Sequence, residues 1–255
     1  MRGATVLKRL FGSLGEWYYR RRTHLNFRRY EEVETLIEWL DAQEGERILD
    51  IGCNDGFYDH RIATDTGAYV VGIDISEKGL QTARTRNQLE KTEYHLVNAE
   101  EIPFEDASFD RVLSCCVIEH FHNDDRVLEH VSRVLKPSGA FIFSADSLSN
   151  PEVTDAERAE HRTRYAVNTF YTPEIIEEKL KRVGLEVLET QYILTTPLSL
   201  ALARLSWWVD DLPGFPGEIL YSLLNPINQF FSDLSEKHSR RKDSGLTLLI
   251  RARKP

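Results

Sequence analysis

The stretch Asp50-Ile51-Gly52-Cys53-Asn54-Asp55-Gly56 follows a short apolar run and precedes a helical pattern. Glycines at such a junction let the backbone turn sharply and approach a ligand closely, and the start of the next helix offers unpaired N–H groups. Asp74 closes the next apolar run about 20 residues later, where a carboxylate can accept from both hydroxyls of a ribose. Together these features point to a ligand that carries a nucleoside. Further along, Glu119 and His120 follow a fourth apolar run. An imidazole there suits proton abstraction near neutral pH, with His122, His161 and Tyr165 as further candidates from nearby segments. Cys115 and Cys116 are expected to pack as small hydrophobes, with no nucleophilic partner in the sequence around them.

These residues need a frame. Near-continuous apolar runs at 47–51, 68–74, 93–97, 109–115 and 140–146 alternate with helical patterns at 57–66, 77–90 and 124–135. Such alternation predicts a parallel sheet covered on both faces. A helix at 173–183, a strand at 185–194 and a last strand at 246–253 complete it. Ahead of the sheet, a helix at 29–43 presents Val33, Leu36, Ile37 and Leu40 on one face. Residues 3–15 place Val6, Leu7, Leu10, Phe11 and Leu14 opposite Lys8 and Arg9, and Trp17, Tyr18, Tyr19 and Arg20–Arg22 follow. A basic amphipathic segment of this kind lies on a membrane surface or packs over a core. Residues 195–244 separate the last two strands and are rich in Leu, Trp, Phe and Pro. They predict two or three amphipathic helices forming a cap, since Arg204, Pro197, Pro213 and Pro216 interrupt any spanning segment.

Composition narrows the class. Hydrophobic residues make up 41% and charged residues 29%, as in ordinary globular chains. Three cysteines, two of them adjacent, cannot build a disulfide framework, and the first residues lack the apolar core of a secretory leader. A cytoplasmic location is expected, at the inner face of a membrane if the basic segment binds lipid. The net charge of −9 divides into +7 over residues 1–30, −18 over 31–195 and +2 over 196–255. An acidic middle repels a phosphate backbone, which excludes nucleic acid as the main partner.

Five motifs in order resemble the class I S-adenosylmethionine-dependent methyltransferases, in the small-molecule group with quinone-biosynthesis and natural-product enzymes. Asp50–Gly56 resembles their D-x-G-x-G-x-G loop, and Val70–Ser76 their ribose-binding strand. Asn98–Phe104 resembles the adenine-side segment, Ser108–His120 the fourth strand with its E-H tail, and Leu135–Ala140 the turn before strand five. The resemblance spans residues 45–195. It implies an α/β, Rossmann-like, doubly wound seven-stranded sheet, mostly parallel with the last strand antiparallel. The parts would be N-terminal helices (1–44), a core (45–194), the apolar cap between strands six and seven (195–244) and the final strand (245–255).

The resemblance also implies S-adenosylmethionine as cofactor, held by Asp50, Gly52, Asn54, Gly56, Asp74, Ile75, Asn98, Ala99, Glu100 and Cys115. Asn54 replaces the loop's middle glycine, and asparagine tolerates the positive φ such a turn requires. Asn98 stands where the family often has Asp, and its amide can accept from the adenine amine and donate to the ring nitrogen. Asp50 attracts the cofactor's ammonium but would repel a pyrophosphate, which sets a nicotinamide-dependent dehydrogenase second among enzyme classes. His120, with Glu119, is the expected catalytic pair. The resemblance to some quinone enzymes suggests a divalent ion on Glu119, His120 and His122, but the cluster lacks an established ligand spacing and no metal is expected. The expected reaction is methyl transfer to an oxygen of a small apolar or lipid-like acceptor. The alternative is a donor-binding, catalytically silent partner subunit. The apolar cap is expected to cover substrate, contact a membrane peripherally or form a homodimer.

Overall fold

The computed structural model describes residues 27–210 and 215–255. The basic segment expected at 3–22, and Pro213 within the expected cap, lie outside the described residues.

Seven strands form one sheet: β1 (Arg47–Ile51), β2 (Tyr69–Asp74), β3 (Thr92–Leu96), β4 (Phe109–Cys115), β5 (Leu135–Asp146), β6 (Glu186–Ile193) and β7 (Thr247–Arg253). Their order is β3-β2-β1-β4-β5-β7-β6. Only β7 runs against its neighbours, pairing antiparallel with β5 and β6, as expected for the last strand. The apolar runs explain the parallel part. Ile48, Leu49, Ile51, Val70, Val71 and Ile73 are all buried, so the centre of the sheet is covered on both faces. Phe141 and Phe143 in β5 share a face and stack at 4.2 Å. Each such fully buried side chain contributes about 1.5–3 kcal/mol of transfer free energy.

The helices are α1 (Phe27–Leu40), α2 (Phe57–Thr66), α3 (Glu77–Thr82), α4 (Asp124–Val134), α5 (Asp155–Tyr165), α6 (Pro173–Arg182), α7 (Pro197–Asp210) and α8 (Phe215–Ser239). In α4, Val127, Leu128, Val131 and Val134 form the buried stripe, and Asn123 caps the start by accepting from Arg126 N–H at 3.1 Å. Two expected elements change their bounds and one element was not expected. The helix expected at 77–90 ends as α3 at Thr82 and passes into a π turn over Ala83–Asn87. β5 begins at Leu135 instead of 140, because Phe109 already pairs with Leu135. Helix α5 has no counterpart among the expected elements. It buries no side chain outright, so it leaves no apolar periodicity, although Thr154 and Glu157 form a complete capping box at its start.

Two compact units divide the described residues: Glu32–Thr195 with Arg241–Pro255, and Thr196–Arg240 with the start of α1. The first contains the whole sheet. In the second, α7 and α8 form a helical pair joined at a buried acid. Glu236 of α8 accepts from Ser199 Oγ at 2.7 Å and from Thr196 N–H at 3.2 Å, which places a negative charge at the N-terminus of α7. No helix of the described residues is long and apolar enough to cross a membrane.

Candidate active site

The glycine loop leaves β1 through a chain of left-handed residues: Gly52 at φ 81°, Asn54 at φ 47° and Gly56 at φ 67°. Asn54 therefore takes the turn that the middle glycine would take. The loop is pinned to the tip of β2, where Gly52 N–H and Cys53 N–H both donate to the Ile73 carbonyl, at 2.8 and 3.1 Å. A Cβ on Gly52 would overlap the Val117 side chain, and one on Gly56 would overlap the Tyr94 hydroxyl. This is backbone laid bare for a ligand and packed so closely behind that no side chain fits.

Asp74, the expected ribose acceptor, is held at both carboxylate oxygens. Its Oδ2 accepts from Asn54 N–H at 2.9 Å and its Oδ1 from Ser76 N–H at 2.7 Å. Both oxygens are thus fixed in orientation, and each keeps a lone pair for a hydroxyl. Next to it Ile75 is 76% exposed, an apolar surface at the place where the sequence predicted a cofactor contact. Asn98 is exposed, and its Oδ1 accepts from Glu100 N–H at 3.0 Å, capping the short turn Ala99–Glu101. Its carbonyl oxygen is therefore engaged in the turn, and its NH2 group is the end suited to an adenine ring nitrogen. Glu100 also braces a neighbouring helix. Its carboxylate accepts from Asn123 N–H at 3.2 Å and steadies the start of α4. Ala99 is buried and Cys115 is half-buried at the end of β4.

Beneath the loop lies a buried acid pair that the sequence pattern does not reveal. Asp59 of α2 is fully buried and stands close to Asp50, itself 4% exposed. Burial, then the Asp50 charge, raises the Asp59 pKa well above the usual carboxylate range. Burial also raises Asp50, to about 6, with neighbouring Asp59 opposing the rise and the Asp74 charge adding to it. Cys53 packs behind the same loop, and burial followed by the Asp59 charge drives its thiol pKa up, which makes it inert. A polar residue at the third position of α2, in line with buried Ile62 and Ala63, is the only sequence signal for Asp59.

The opposite end of the site gathers at the C-terminal ends of β4 and β5. Cys116, at φ 50°, donates its N–H to Ser144 Oγ at 2.9 Å and its S–H to Glu32 at 2.9 Å. Ser144 donates its hydroxyl to the same Glu32 oxygen. Glu119 is 1% exposed, and its Oε1 accepts from Asp146 N–H at 3.3 Å. Its carbonyl accepts from Asn168 and Thr169 N–H, at 2.8 and 3.3 Å, so this residue ties three segments together. His120 directs Nδ1 at the Ala166 carbonyl, 3.4 Å away, and its own carbonyl accepts from Asn168 Nδ2 at 2.7 Å. His161 of α5 meets Asp146 with Nε2 2.6 Å from Oδ2. Among the described residues, the ligand atoms of Cys116, Glu119 and Asp146 lie within 4.8 Å of one another, near enough to share a cation. The bonds just given make the trio part of a protein hydrogen-bond network.

Comparison with known proteins points to one family. A methyltransferase domain family model matches residues 49–143. The chain is 31% identical to the ubiquinone biosynthesis O-methyltransferase of Bordetella avium over 166 residues, 60% of this chain and 68% of that protein. It is 31% identical to a 24-methylenesterol C-methyltransferase 2 of Oryza sativa subsp. japonica over 206 residues, 75% of this chain and 56% of that protein. It spans little more than half the length of several other relatives. Among solved structures, the Haemonchus contortus phosphoethanolamine N-methyltransferase 2 with phosphomonomethylethanolamine and S-adenosylhomocysteine superposes with a TM-score of 0.65 at 21% identity, over 89% of this chain and 53% of that one. A loop that bares its backbone beside a doubly anchored Asp74, on this sheet order and with these relatives, places the chain among the class I S-adenosylmethionine-dependent methyltransferases, with S-adenosylmethionine as its cofactor.

Proposed function

We propose that the protein transfers a methyl group to an oxygen of a small apolar, lipid-like acceptor. One observation carries this reading: the imidazole and carboxylate groups of His120, Glu119, Asp146 and His161 gather where β4 and β5 end, and a hydroxyl must lose a proton as it is methylated. The bound cofactor supplies a methyl group on a sulfonium. Everything else falls to the chain: Gly52, Asn54 and Gly56 present backbone, Asp74 orients the ribose, and Ile75, Asn98 and Ala99 take the adenine. Glu119 acts by positioning, since its side chain and carbonyl hold the loop that carries His120. The apolar nature of the acceptor is supported by α7 and α8, where Trp208 and Phe230 are 58% and 62% exposed and Leu198, Ile227, Phe231 and Leu234 are exposed as well. Apolar surface on that scale recruits a hydrophobic partner.

Asp50 would receive the ammonium of the cofactor, and this gives a pH prediction. An acid with a pKa of about 6 in the free protein binds a cation only when ionised, so affinity rises with pH and binding releases a proton. Calorimetry with S-adenosylhomocysteine should show binding roughly tenfold weaker at pH 5 than at pH 7. Equal affinity at both values would remove Asp50 from this role.

The acceptor class is tested with methyl-labelled cofactor and a series of 4-alkylcatechols. KM should fall at least tenfold from the ethyl to the octyl compound, because each buried CH2 contributes about 0.8 kcal/mol. A KM independent of chain length would contradict an apolar acceptor site. The same apolar helices, with the basic residues 1–30, support peripheral contact with the inner face of an anionic membrane over a homodimer. Co-sedimentation with anionic but not neutral vesicles is expected. A stable dimer that ignores both would favour the interface between copies.

A further inference from the structure

We infer that His161, held by Asp146, is the base that takes the acceptor's proton. The inference rests on the reading of the acceptor as an oxygen nucleophile. Helix α5 faces water along its length, yet His161 is only 13% exposed at its side chain, and Asp146 is 16% exposed. The two meet at 2.6 Å, a short hydrogen bond between imidazole and carboxylate. Asp146 is fixed before it meets the ring, for its N–H donates to Glu119 and its carbonyl accepts from Tyr171 N–H at 2.9 Å. The ring itself is set against Tyr165, with centroids 4.6 Å apart, and Phe170 at 6.2 Å.

An ionised Asp146 selects the tautomer with hydrogen on Nε2, which puts the lone pair on Nδ1. As the acceptor oxygen bonds to the methyl carbon, the carbon–sulfur pair stays on sulfur and the O–H pair stays on oxygen. The proton passes to Nδ1. One positive charge enters on the sulfonium and one leaves on the imidazolium, so the step balances. The imidazolium then lies against Asp146 from β5, with Glu119 and Cys116 from the turn after β4 close behind that carboxylate. On its own helix stand Tyr165, Arg162 and Arg164, and the two guanidiniums lie over the Phe170 and Tyr165 rings at 5.0 and 5.3 Å. His120, by contrast, has a backbone carbonyl opposite its ring nitrogen, and a neutral partner steadies an imidazolium less than a carboxylate does.

Long-range ¹H–¹⁵N NMR on the full chain is the first measurement. His161 should carry its neutral-state hydrogen on Nε2, and Asp146→Asn should abolish that preference. With 4-octylcatechol and labelled cofactor, His161→Gln should lower kcat by roughly 10²–10³-fold at unchanged cofactor affinity, which also reports folding. Asp146→Asn should lower kcat at least tenfold and move the acid limb of the kcat profile to lower pH. Rates within threefold of the native enzyme in both variants would overturn the assignment, as would a loss confined to His120→Gln. Failure of the native enzyme to methylate the catechol contradicts the acceptor reading itself, a result distinct from undiminished turnover in the His161 variant.

Discussion

Asp74→Ala should weaken S-adenosylhomocysteine binding by at least 100-fold, the largest loss expected from any single substitution at the cofactor site. Two effects combine. The ribose loses acceptors for both hydroxyls, each bond to a charged oxygen contributing about 1.5–3 kcal/mol. The loop also loses its anchor, because the same carboxylate holds Asn54 N–H and Ser76 N–H at 2.9 and 2.7 Å. Asp74→Asn separates the two. It keeps one oxygen but turns an NH2 group toward a backbone donor, so it should fall between the native protein and the alanine variant. Calorimetry reads both, and native-like affinity in Asp74→Ala would be incompatible with the site described.

The second large effect concerns the fold beneath the site. Gly52→Ala should destabilise the protein by about 3 kcal/mol or more, since the methyl group must displace the Val117 side chain on a backbone already at φ 81°. Gly184 offers the internal control. It has φ 76°, and a methyl group added there would meet nothing within 4 Å, so Gly184→Ala carries the strain alone, about 1 kcal/mol. Urea unfolding of the two variants measures the difference. Equal midpoints would mean that the Gly52 environment yields freely, and that the loop is not closely backed.

The parallel strands are legible in the sequence because burial on both faces writes itself as unbroken apolar runs, as in Tyr69–Asp74. The glycine loop is legible because positive φ restricts residue type, and Asn54 satisfies that restriction as glycine does. Helix α5 is not, since its stability comes from a capping box and exposed charge instead of an apolar stripe. Without that helix, the pairing of His161 with Asp146 stays hidden. The Glu32–Cys116–Ser144 network is hidden for another reason. Its members come from α1, the end of β4 and the C-terminal half of β5, and only the sheet order brings them together. Asp59 shows the same limit, for an acid in a helical pattern reads as surface until its neighbour across the loop is known.

Transfer of a methyl group to oxygen on an apolar molecule is open to direct observation. A cell lipid extract is incubated with the protein and S-adenosylmethionine carrying a deuterated methyl group, and the products are read by tandem mass spectrometry. One labelled methyl should appear on an oxygen of an apolar product, and it should be lost in parallel by Asp74→Ala and His161→Gln. Label on nitrogen or carbon, or no labelled product despite cofactor binding, would contradict methyl transfer to oxygen.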